Sequence, residues 1–276
     1  PQTCRKIWEA IVPCLPAHDN RLLVKIPGQL NGKENPALHF WACVPVSNAY
    51  AATLPSTWET FLSRIPPKIR SDSRRQSRRL ERENGAIRLS VASNSEEYDG
   101  LIGAMFEQKR RRYRETGVRD LFSDKSFREF YRGLRGKLGD GGSVNMAGLF
   151  VGDDIVATHW GISYGDRFYW LMPTYAGGKW ERYSAGRLLQ EKLIEWSIER
   201  GFKVFDFTIG EEEYKKTWCD ETFAVYAHER LISPRGIPYS VANSLMSWLK
   251  TNKKTRKFLT SSLSVARKTG FFKNYD

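Results

Sequence analysis

The sequence has no long apolar run and few cysteines, and each shortage excludes a class of protein. No stretch approaches the roughly 18 consecutive apolar residues that cross a bilayer, and the first residues are not a signal peptide. Cys4, Cys14, Cys43 and Cys219 lack paired metal-ligand spacing, so we predict reduced thiols, no metal site and a cytoplasmic location. The chain also lacks an initiator methionine before Pro1, from which we expect a fragment or a processed product.

Acidic residues are outnumbered by basic ones. The 31 aspartates and glutamates face 44 lysines and arginines, which gives a formal net charge of +13. The excess lies mainly in residues 68–82, in the run KRRRYR at 109–114, and in the tail from Lys250. Such a charge admits nucleic acid, phospholipid, nucleotide cofactors and acidic carrier proteins as partners, although solvated helix faces are the other explanation for the basic runs.

The pattern of apolar residues predicts a mixed sheet. Residues up to about 52 favour short strands broken by turns. From Ala86 the order is strand, two helices, three antiparallel strands, helix, strand, short helix and strand. The three antiparallel strands and the strand after the crossover helix are expected at 144–151, 155–163, 167–172 and 204–207. A right-handed crossover makes the last of these parallel to the third.

Two segments are expected at the cleft where that parallel pair splays. The first is the helix start at Tyr183, Ser184, Gly186 and Arg187. We predict that the Ser184 side chain caps the helix, that unpaired amides and the helix dipole attract phosphate, and that Gly186 permits close approach of the backbone. Arg187 adds a fixed positive charge. A plain helix cap explains the same residues.

The second segment, FDFTIGEEEYKK, begins at Phe205 and ends a buried strand with Asp206. Three carboxylates, a phenol and an amine then follow within about one turn. Tyr214 is a candidate proton donor to a leaving thiolate, Lys215 a candidate ligand of a phosphate or oxyanion, and a carboxylate a candidate base. A salt-bridged helical turn is the alternative.

These two segments carry a resemblance to a known family. The runs RYSAGRLLQEKLIEWSIERG and FDFTIGEEEYKKTW resemble the cellulose-biosynthesis-associated (CelD/BcsL-like) acetyltransferases, residues 58–85 look like that family's basic helical linker, and 19–37 resemble the end of its N-terminal lobe. The resemblance implies an α+β, GNAT-like fold with a mixed, mostly antiparallel sheet flanked by helices, related to that of Fem-type aminoacyl transferases. It divides the chain into a remnant of an N-terminal lobe (1–65), a GNAT-like acyltransferase domain (66–235) and a basic helical C-terminal extension (236–276).

The resemblance also implies site residues and substrates. It places donor contacts at Tyr183, Ser184, Gly186 and Arg187, and catalytic roles at Asp206, Tyr214, Lys215 and His159. His159 lies near the point where GNAT enzymes polarise a thioester, although a half-buried core histidine is the interpretation that the burial preference of histidine favours. The implied donor is acetyl-CoA or another acyl-CoA, and the implied acceptor is a small molecule or saccharide in polysaccharide biosynthesis.

The donor and the class of function have alternatives. Residues 182–188 do not reproduce the Arg/Gln-x-x-Gly-x-Gly/Ala motif by which GNAT enzymes bind pyrophosphate. A Fem-type transferase would use aminoacyl-tRNA, gripped by the arginine-rich helix, and an acidic carrier protein is a further donor. The third alternative is not an enzyme. It is a basic module that binds nucleic acid, or an anionic membrane peripherally, through residues 240–270.

Overall fold

The computed structural model describes residues 2–30, 32–39, 42–136, 138–139 and 141–251, with the side chains of 246–251 excluded. The described residues form two compact units, one of residues 47–223 and the other of residues from 1–46 and 224–276. The three-part division expected from the sequence stays a prediction. Most of the expected basic C-terminal tail lies beyond Thr251, outside the described residues.

The helices and strands follow one another without long gaps. In chain order they are α1 (Gln2–Ile11), β1 (Asn20–Pro27), β2 (Gln29–Leu30), β3 (Lys33–Glu34), β4 (Val44–Thr53), α2 (Trp58–Ser63), α3 (Pro67–Asn84), β5 (Ile87–Val91), α4 (Ser95–Thr116), α5 (Lys125–Gly133), β6 (Gly142–Val151), β7 (Asp154–Tyr164), β8 (Arg167–Tyr175), α6 (Ala185–Glu199), β9 (Val204–Ile209), α7 (Glu213–Trp218), β10 (Glu221–Leu231) and α8 (Ile237–Thr251). None of these helices, over the described residues, is both long and apolar enough to cross a membrane.

In the smaller unit, β1 pairs antiparallel with β10, and β2 pairs antiparallel with β3. The prediction of strands from the start of the chain is wrong for α1, which is helical. Its apolar residues Ile7, Trp8 and Ile11 recur at the spacing of three and four that marks a helix face. The glycines and prolines later in this stretch favour turns between short strands, and the prediction extended that pattern to the residues of α1.

The larger unit is built on a sheet with the strand order β4-β9-β8-β7-β6-β5. The strands β5 to β8 form an antiparallel meander, and α6 crosses over to β9, which runs parallel to β8. The predicted mixed, mostly antiparallel sheet flanked by helices is therefore confirmed. The sequence did not predict that β4 pairs antiparallel with β9 at the other side of the parallel pair.

Side chains point alternately to the two faces of the sheet along every strand. Both faces therefore carry apolar side chains, and helices cover both. On one face, Leu189 and Leu193 of α6 pack in one core cluster with Phe168 and Phe205. On the other, α4 packs against β6 and β7 through a second cluster, whose members include Leu101, Ile102, Met105, Met146 and Trp160. Burial of each large side chain contributes about 1.5–3 kcal/mol, so the two layers hold the sheet in place and fix the ends of β8 and β9.

The close contact of β7 with β8 at Gly161 gives a test of this packing. The pairing register shifts between Trp160 and Ile162, and a Cβ at Gly161 would overlap the His159 ring and lie 2.5 Å from the Tyr169 carbonyl oxygen. We expect Gly161→Ala to lower the free energy of unfolding by about 1–3 kcal/mol, because backbone must shift to admit the methyl group.

Urea unfolding measures this change, with Gly103→Ala as the matched control. Gly103 lies in α4, and a Cβ there meets nothing within 4 Å. Its replacement should be neutral or stabilise by up to about 1 kcal/mol through helix propensity. Equal stability of the Gly161→Ala protein and the wild type would contradict the close approach of these strands.

Candidate active site

The candidate site begins where β8 and β9 separate. Their parallel pairing covers only Arg167 to Tyr169 of β8, opposite Val204 to Asp206 of β9. Beyond these pairs lies a cleft of about 280 Å³. It is lined by Trp170, Pro173, Thr174 and Tyr175 of β8, by Gly186, Arg187 and Gln190 of α6, and by Tyr214 and Trp218 of α7. The predicted cleft thus exists, and the start of α6 borders it.

The start of α6 also borders a second cavity. Ser184 adopts the left-handed conformation (φ 55°, ψ 42°) and its side chain makes no capping hydrogen bond, so the predicted Ser184 cap is wrong. The Arg187 and Leu188 amides donate to the Ser184 carbonyl oxygen, which leaves the amides of Ala185 and Gly186 without an intrahelical acceptor. The cavity around them has about 350 Å³ and is lined by Arg112, Tyr175, Glu181, Ser184, Ala185, Gly186 and Arg187. Since Tyr175, Gly186 and Arg187 line both spaces, the two adjoin.

Two arginines, Arg112 and Arg187, line this second cavity together with one carboxylate, that of Glu181. Arg187 is held by Asp72 of α3 at 2.7 Å, and its hydrogen bond is the main cause that lowers the pKa of Asp72 below the usual value. Arg112 of α4 is a lining residue that the sequence analysis did not single out, and its only signal was its place in the KRRRYR run. Gly186 leaves room for a ligand, because a Cβ there would meet only Tyr175, at 3.6 Å.

Two buried hydrogen-bond donors line the cleft, on residues that are each 4% exposed. The amide Nε2 of Gln190 makes no hydrogen bond with the described residues. The indole Nε1 of Trp170 makes none of normal geometry, but it interacts with the Tyr214 phenol closely enough to lower the pKa of that group. A buried donor without an acceptor costs roughly 1–3 kcal/mol, so the Gln190 amide indicates a ligand that brings an acceptor atom. Gln190 carried no signal in the sequence, where it reads as an ordinary helix residue.

Tyr214 lies in the wall of the cleft, as the sequence predicted. Its ring packs edge-on against Phe207 with centroids 6.2 Å apart, and the residue is 40% exposed. Partial burial is the main cause that raises the pKa of the Tyr214 phenol, while the nearby indole of Trp170 acts in the opposite direction. The phenol therefore stays protonated near neutral pH and can act as a proton donor.

Lys215 points away from the cleft into the loop before α7. It is 3% exposed, and its Nζ lies 3.0 Å from the Ile209 carbonyl oxygen and 3.0 Å from a Glu212 carboxylate oxygen. A second carbonyl, that of Thr208, lies at 3.5 Å. Lys215 thus satisfies the polar groups at the end of β9 rather than lining the described space.

Asp206 fixes the end of the parallel pair. Its carboxylate lies 2.8 Å from a guanidinium nitrogen of Arg167, and it accepts a hydrogen bond of 2.7 Å from the Thr208 amide. Thr208 has a φ of 60°, which a β-branched residue rarely adopts. The hydrogen bond from its amide holds this turn, and the turn directs the chain from β9 toward α7.

His159 is enclosed in the core and does not line the cleft. Its Nε2 accepts a hydrogen bond of 3.2 Å from the Leu171 amide, and its ring stacks on Trp170 with centroids 4.3 Å apart. Burial, with a smaller contribution from Lys109, lowers the pKa of His159 to about 3. The imidazole is therefore neutral, and its ring packs against one face of the Trp170 indole.

Tyr183 is also buried, under the start of α6. Its hydroxyl donates a hydrogen bond of 2.6 Å to Glu83 of α3 and accepts one of 3.1 Å from Asn84. The sequence-predicted residues therefore separate into two groups. Ser184, Gly186, Arg187 and Tyr214 border the two cavities, whereas Tyr183, His159, Asp206 and Lys215 do not line them.

Comparisons with known proteins agree with this architecture. Residues 67–216, more than half of the chain, match a family model described as an acetyltransferase (GNAT) domain. A search for similar sequences among curated proteins found no match. The GNAT-like fold expected from the sequence is thereby confirmed.

Several solved structures resemble this chain at low sequence identity. The C-terminal domain of a protein described as a lysylphosphatidylglycerol synthetase from Agrobacterium fabrum has a TM-score of 0.54 and 12% identity, over 80% of this chain and 71% of that one. L-PGS from Bacillus licheniformis gives 0.49 and 14%, over 77% and 68%. FemX gives 0.47 and 10%, over 79% and 67%. At such identities the first of these likenesses shows the fold alone.

We predict that the free energy of unfolding depends on pH through the Glu83 carboxylate. Hydrogen bonds from Tyr183 and then from Arg79 lower its pKa from 4.5 to about 2. A depressed pKa contributes stability above pH 4.5 that is lost as the pH falls toward 2. Glu83→Gln should therefore lower the free energy of unfolding at pH 7, and its difference from the wild type should shrink below pH 4.5.

Urea unfolding across this pH range checks the expectation. Glu81→Gln, at an exposed position of the same helix, is the matched control and should show no such dependence. A Glu83→Gln deficit that is constant with pH would show that the carboxylate charge is not responsible.

Proposed function

We propose, from the premise that this chain belongs to the acetyltransferase (GNAT) family and is an acyltransferase, that it transfers an acyl group from a coenzyme A thioester to an amine or hydroxyl. The observation that carries the donor assignment is the junction of a cavity lined by two arginines with an apolar cleft that holds the unpartnered amide donor of Gln190. A donor with phosphates at one end and a thioester at the other has the chemistry that this pair of spaces requires.

The phosphates belong at the start of α6. The amides of Ala185 and Gly186 have no intrahelical acceptor, and the dipole of this 15-residue helix favours negative charge at this end. Arg112 and Arg187 supply charge-assisted hydrogen bonds from two sides. Because Arg187 is already held by Asp72, little side-chain entropy is lost when it binds a phosphate.

The thioester carbonyl belongs between Trp170 and Gln190. Attack of an amine on the carbonyl carbon moves the C=O electron pair onto oxygen, and donors preorganised around that oxygen stabilise the tetrahedral oxyanion. The two N–H groups are buried, where such hydrogen bonds are stronger than in water. Before a donor binds, these buried N–H groups lack good acceptors, which costs free energy. The carbonyl oxygen of the substrate supplies an acceptor and removes that cost.

Tyr214 is the proposed proton donor to the leaving group. Collapse of the oxyanion breaks the C–S bond, and the thiolate takes the phenolic proton of Tyr214. The phenolate then recovers a proton from the positively charged nitrogen of the new amide, so that the enzyme returns to its first state. The products are the acylated acceptor and a free thiol, and no external acid or base is consumed.

The other sequence-predicted residues are proposed to position this machinery. Asp206 holds the turn at Thr208, Lys215 closes the loop before α7, and His159 supports the Trp170 ring. Tyr183 fixes the start of α6 through Glu83. A saccharide acceptor, and with it a part in polysaccharide biosynthesis, stays a prediction from the sequence resemblance.

A second donor is favoured by one further observation. Arg74 and Arg78 are exposed on α3 and make no ion pair within the described part of the chain. Free arginines along a helix suit the phosphates of an RNA backbone, which supports aminoacyl-tRNA as the alternative donor at the same cleft. In that case the ester carbonyl of the aminoacyl group occupies the place of the thioester.

The two donors are separated by binding measurements. Coenzyme A and acetyl-CoA should raise the melting temperature of RNase-treated protein, since a ligand that binds only the native state stabilises it by mass action. Deacylated tRNA, titrated at several salt concentrations, serves as the competing probe. Stabilisation by tRNA with a steep salt dependence, and none by coenzyme A, would replace the thioester by aminoacyl-tRNA.

Substitutions at the cleft test the chemistry. Tyr214→Phe should reduce kcat for donor hydrolysis or transfer by about 100-fold with little change in KM, because the proton donor acts after binding. Gln190→Leu should reduce kcat by about 10-fold or more through loss of one oxyanion donor. The thiol released from acetyl-CoA can be followed directly with a thiol reagent.

Tyr164→Phe is the matched control for these rates. Tyr164 is 60% exposed at the end of β7 and lies outside the cleft lining. Its phenol should have no effect on turnover. Wild-type rates in both Tyr214→Phe and Gln190→Leu would exclude the proposed roles of these side chains.

A further inference from the structure

A third cavity lies apart from the cleft, between α2, α3 and α6. It has a volume of about 170 Å³. The α6 residues that line it, Leu188, Glu191, Lys192 and Glu195, follow the spacing of one helix face. Gly186, Arg187 and Gln190, which line the cleft, belong to another face of the same helix. The third cavity is therefore a separate space, and Trp218 is the side chain common to both.

The carboxylates in this cavity already have partners. Glu191 accepts a short hydrogen bond from the buried hydroxyl of Ser73 and lies 4.0 Å from Arg187. Glu195 pairs with Lys192 at 2.9 Å. The negative charges of the wall are thus matched from within the protein.

The two arginines of the wall have no such partners. Arg70 and Arg74 of α3 line the cavity, and within the described ranges neither lies in ion-pair distance of a carboxylate. The Nε of Arg70 is buried and makes no hydrogen bond. Ser77 lies one turn further along the same face of α3, where its hydroxyl is an additional donor. The unmatched charge of this cavity is therefore positive.

The remaining wall is flat and apolar. Trp58 stacks on Phe61 with ring centroids 5.7 Å apart, and Phe61 stacks on Trp218 at 6.4 Å. Leu62 and Leu188 complete this side. A cavity of about 150 Å³ holds a molecule of the size of benzene, so the volume here suits a single ring or a short branched chain.

We propose that this cavity binds a small organic anion, a carboxylate or phosphate monoester carried on a ring-sized apolar body. The guanidinium groups of Arg70 and Arg74 bind the anionic group, since arginine presents paired N–H donors that match its oxygens. The apolar body lies against Trp58 and Trp218. The arginines of this site are not among the residues proposed to bind the coenzyme A thioester, and the proposal goes beyond the acyltransferase reaction.

Calorimetric titration at low salt with benzoate and with phenyl phosphate tests the proposal. At least one of the two anions should bind, and benzyl alcohol, the uncharged analogue, should bind at least about 10-fold more weakly because it offers the arginines no charge. The double variant Arg70→Gln/Arg74→Gln should weaken binding of the anion by about 10-fold or more. Arg78→Gln, at an exposed position of the same helix outside the lining, should leave it unchanged.

Two further variants make each outcome decisive. Gln190→Leu alters the cleft and should not affect binding of the anion, whereas loss of binding in that variant would place the anion in the cleft and overturn the proposal. Arg70→Lys/Arg74→Lys keeps the charge and should retain most of the affinity, which separates loss of charge from loss of folding. Absence of binding by both anions at concentrations that saturate a millimolar site, or equal binding to the wild type and the Arg70→Gln/Arg74→Gln protein, would also overturn it.

Discussion

The end of the parallel pairing between β8 and β9 is the constraint on which the candidate active site depends. Three residue pairs join these strands, and beyond Tyr169 and Asp206 the ladder stops. Backbone polar groups released from a ladder need new partners if they are buried. Lys215 supplies them for the carbonyls of Thr208 and Ile209. The space that opens between the strands is therefore a stable part of the fold.

Polar groups near this opening separate into those that are satisfied and those that are not. Asp206, Lys215 and Tyr183 are satisfied by the protein, and so is Nε2 of His159, whereas Nδ1 of His159 is buried in the core without a partner among the described residues. In the cleft wall, the amide Nε2 of Gln190 is likewise buried and unpartnered. The Gln190 amide is the physical argument for a carbonyl-bearing substrate, because an acceptor atom in the cleft would remove the cost of this unpaired donor.

The interface of α3 with α6 lies between the second cavity, at the start of α6, and the third cavity, which Arg70 and Arg74 line. Asp72 and Glu191 lie on either side of Arg187, and Ser73 donates to Glu191. Burial is the main cause that raises the pKa of Glu191, and the hydrogen bond from Ser73 offsets part of that effect. A basic helix that the sequence suggests is a solvated face therefore binds Arg187 through Asp72 and also places Arg70 and Arg74, which make no ion pair within the described residues, in the wall of the third cavity.

The sequence by itself determined the order of elements from Ala86 onward, the parallel pairing of β9 with β8 and the placement of Ser184 to Arg187 at the cleft. These features follow from local periodicity and from the handedness of crossovers, which act over short stretches of chain. Tertiary structure alone decided that Lys215 and His159 turn inward, that Arg112 lines the second cavity and Gln190 the cleft, and that α3 lines the third cavity while its Asp72 binds Arg187. Side-chain direction at such positions depends on which distant segment packs there, because burial and hydrogen bonding are settled by contacts far apart in sequence, and residue type alone does not encode them.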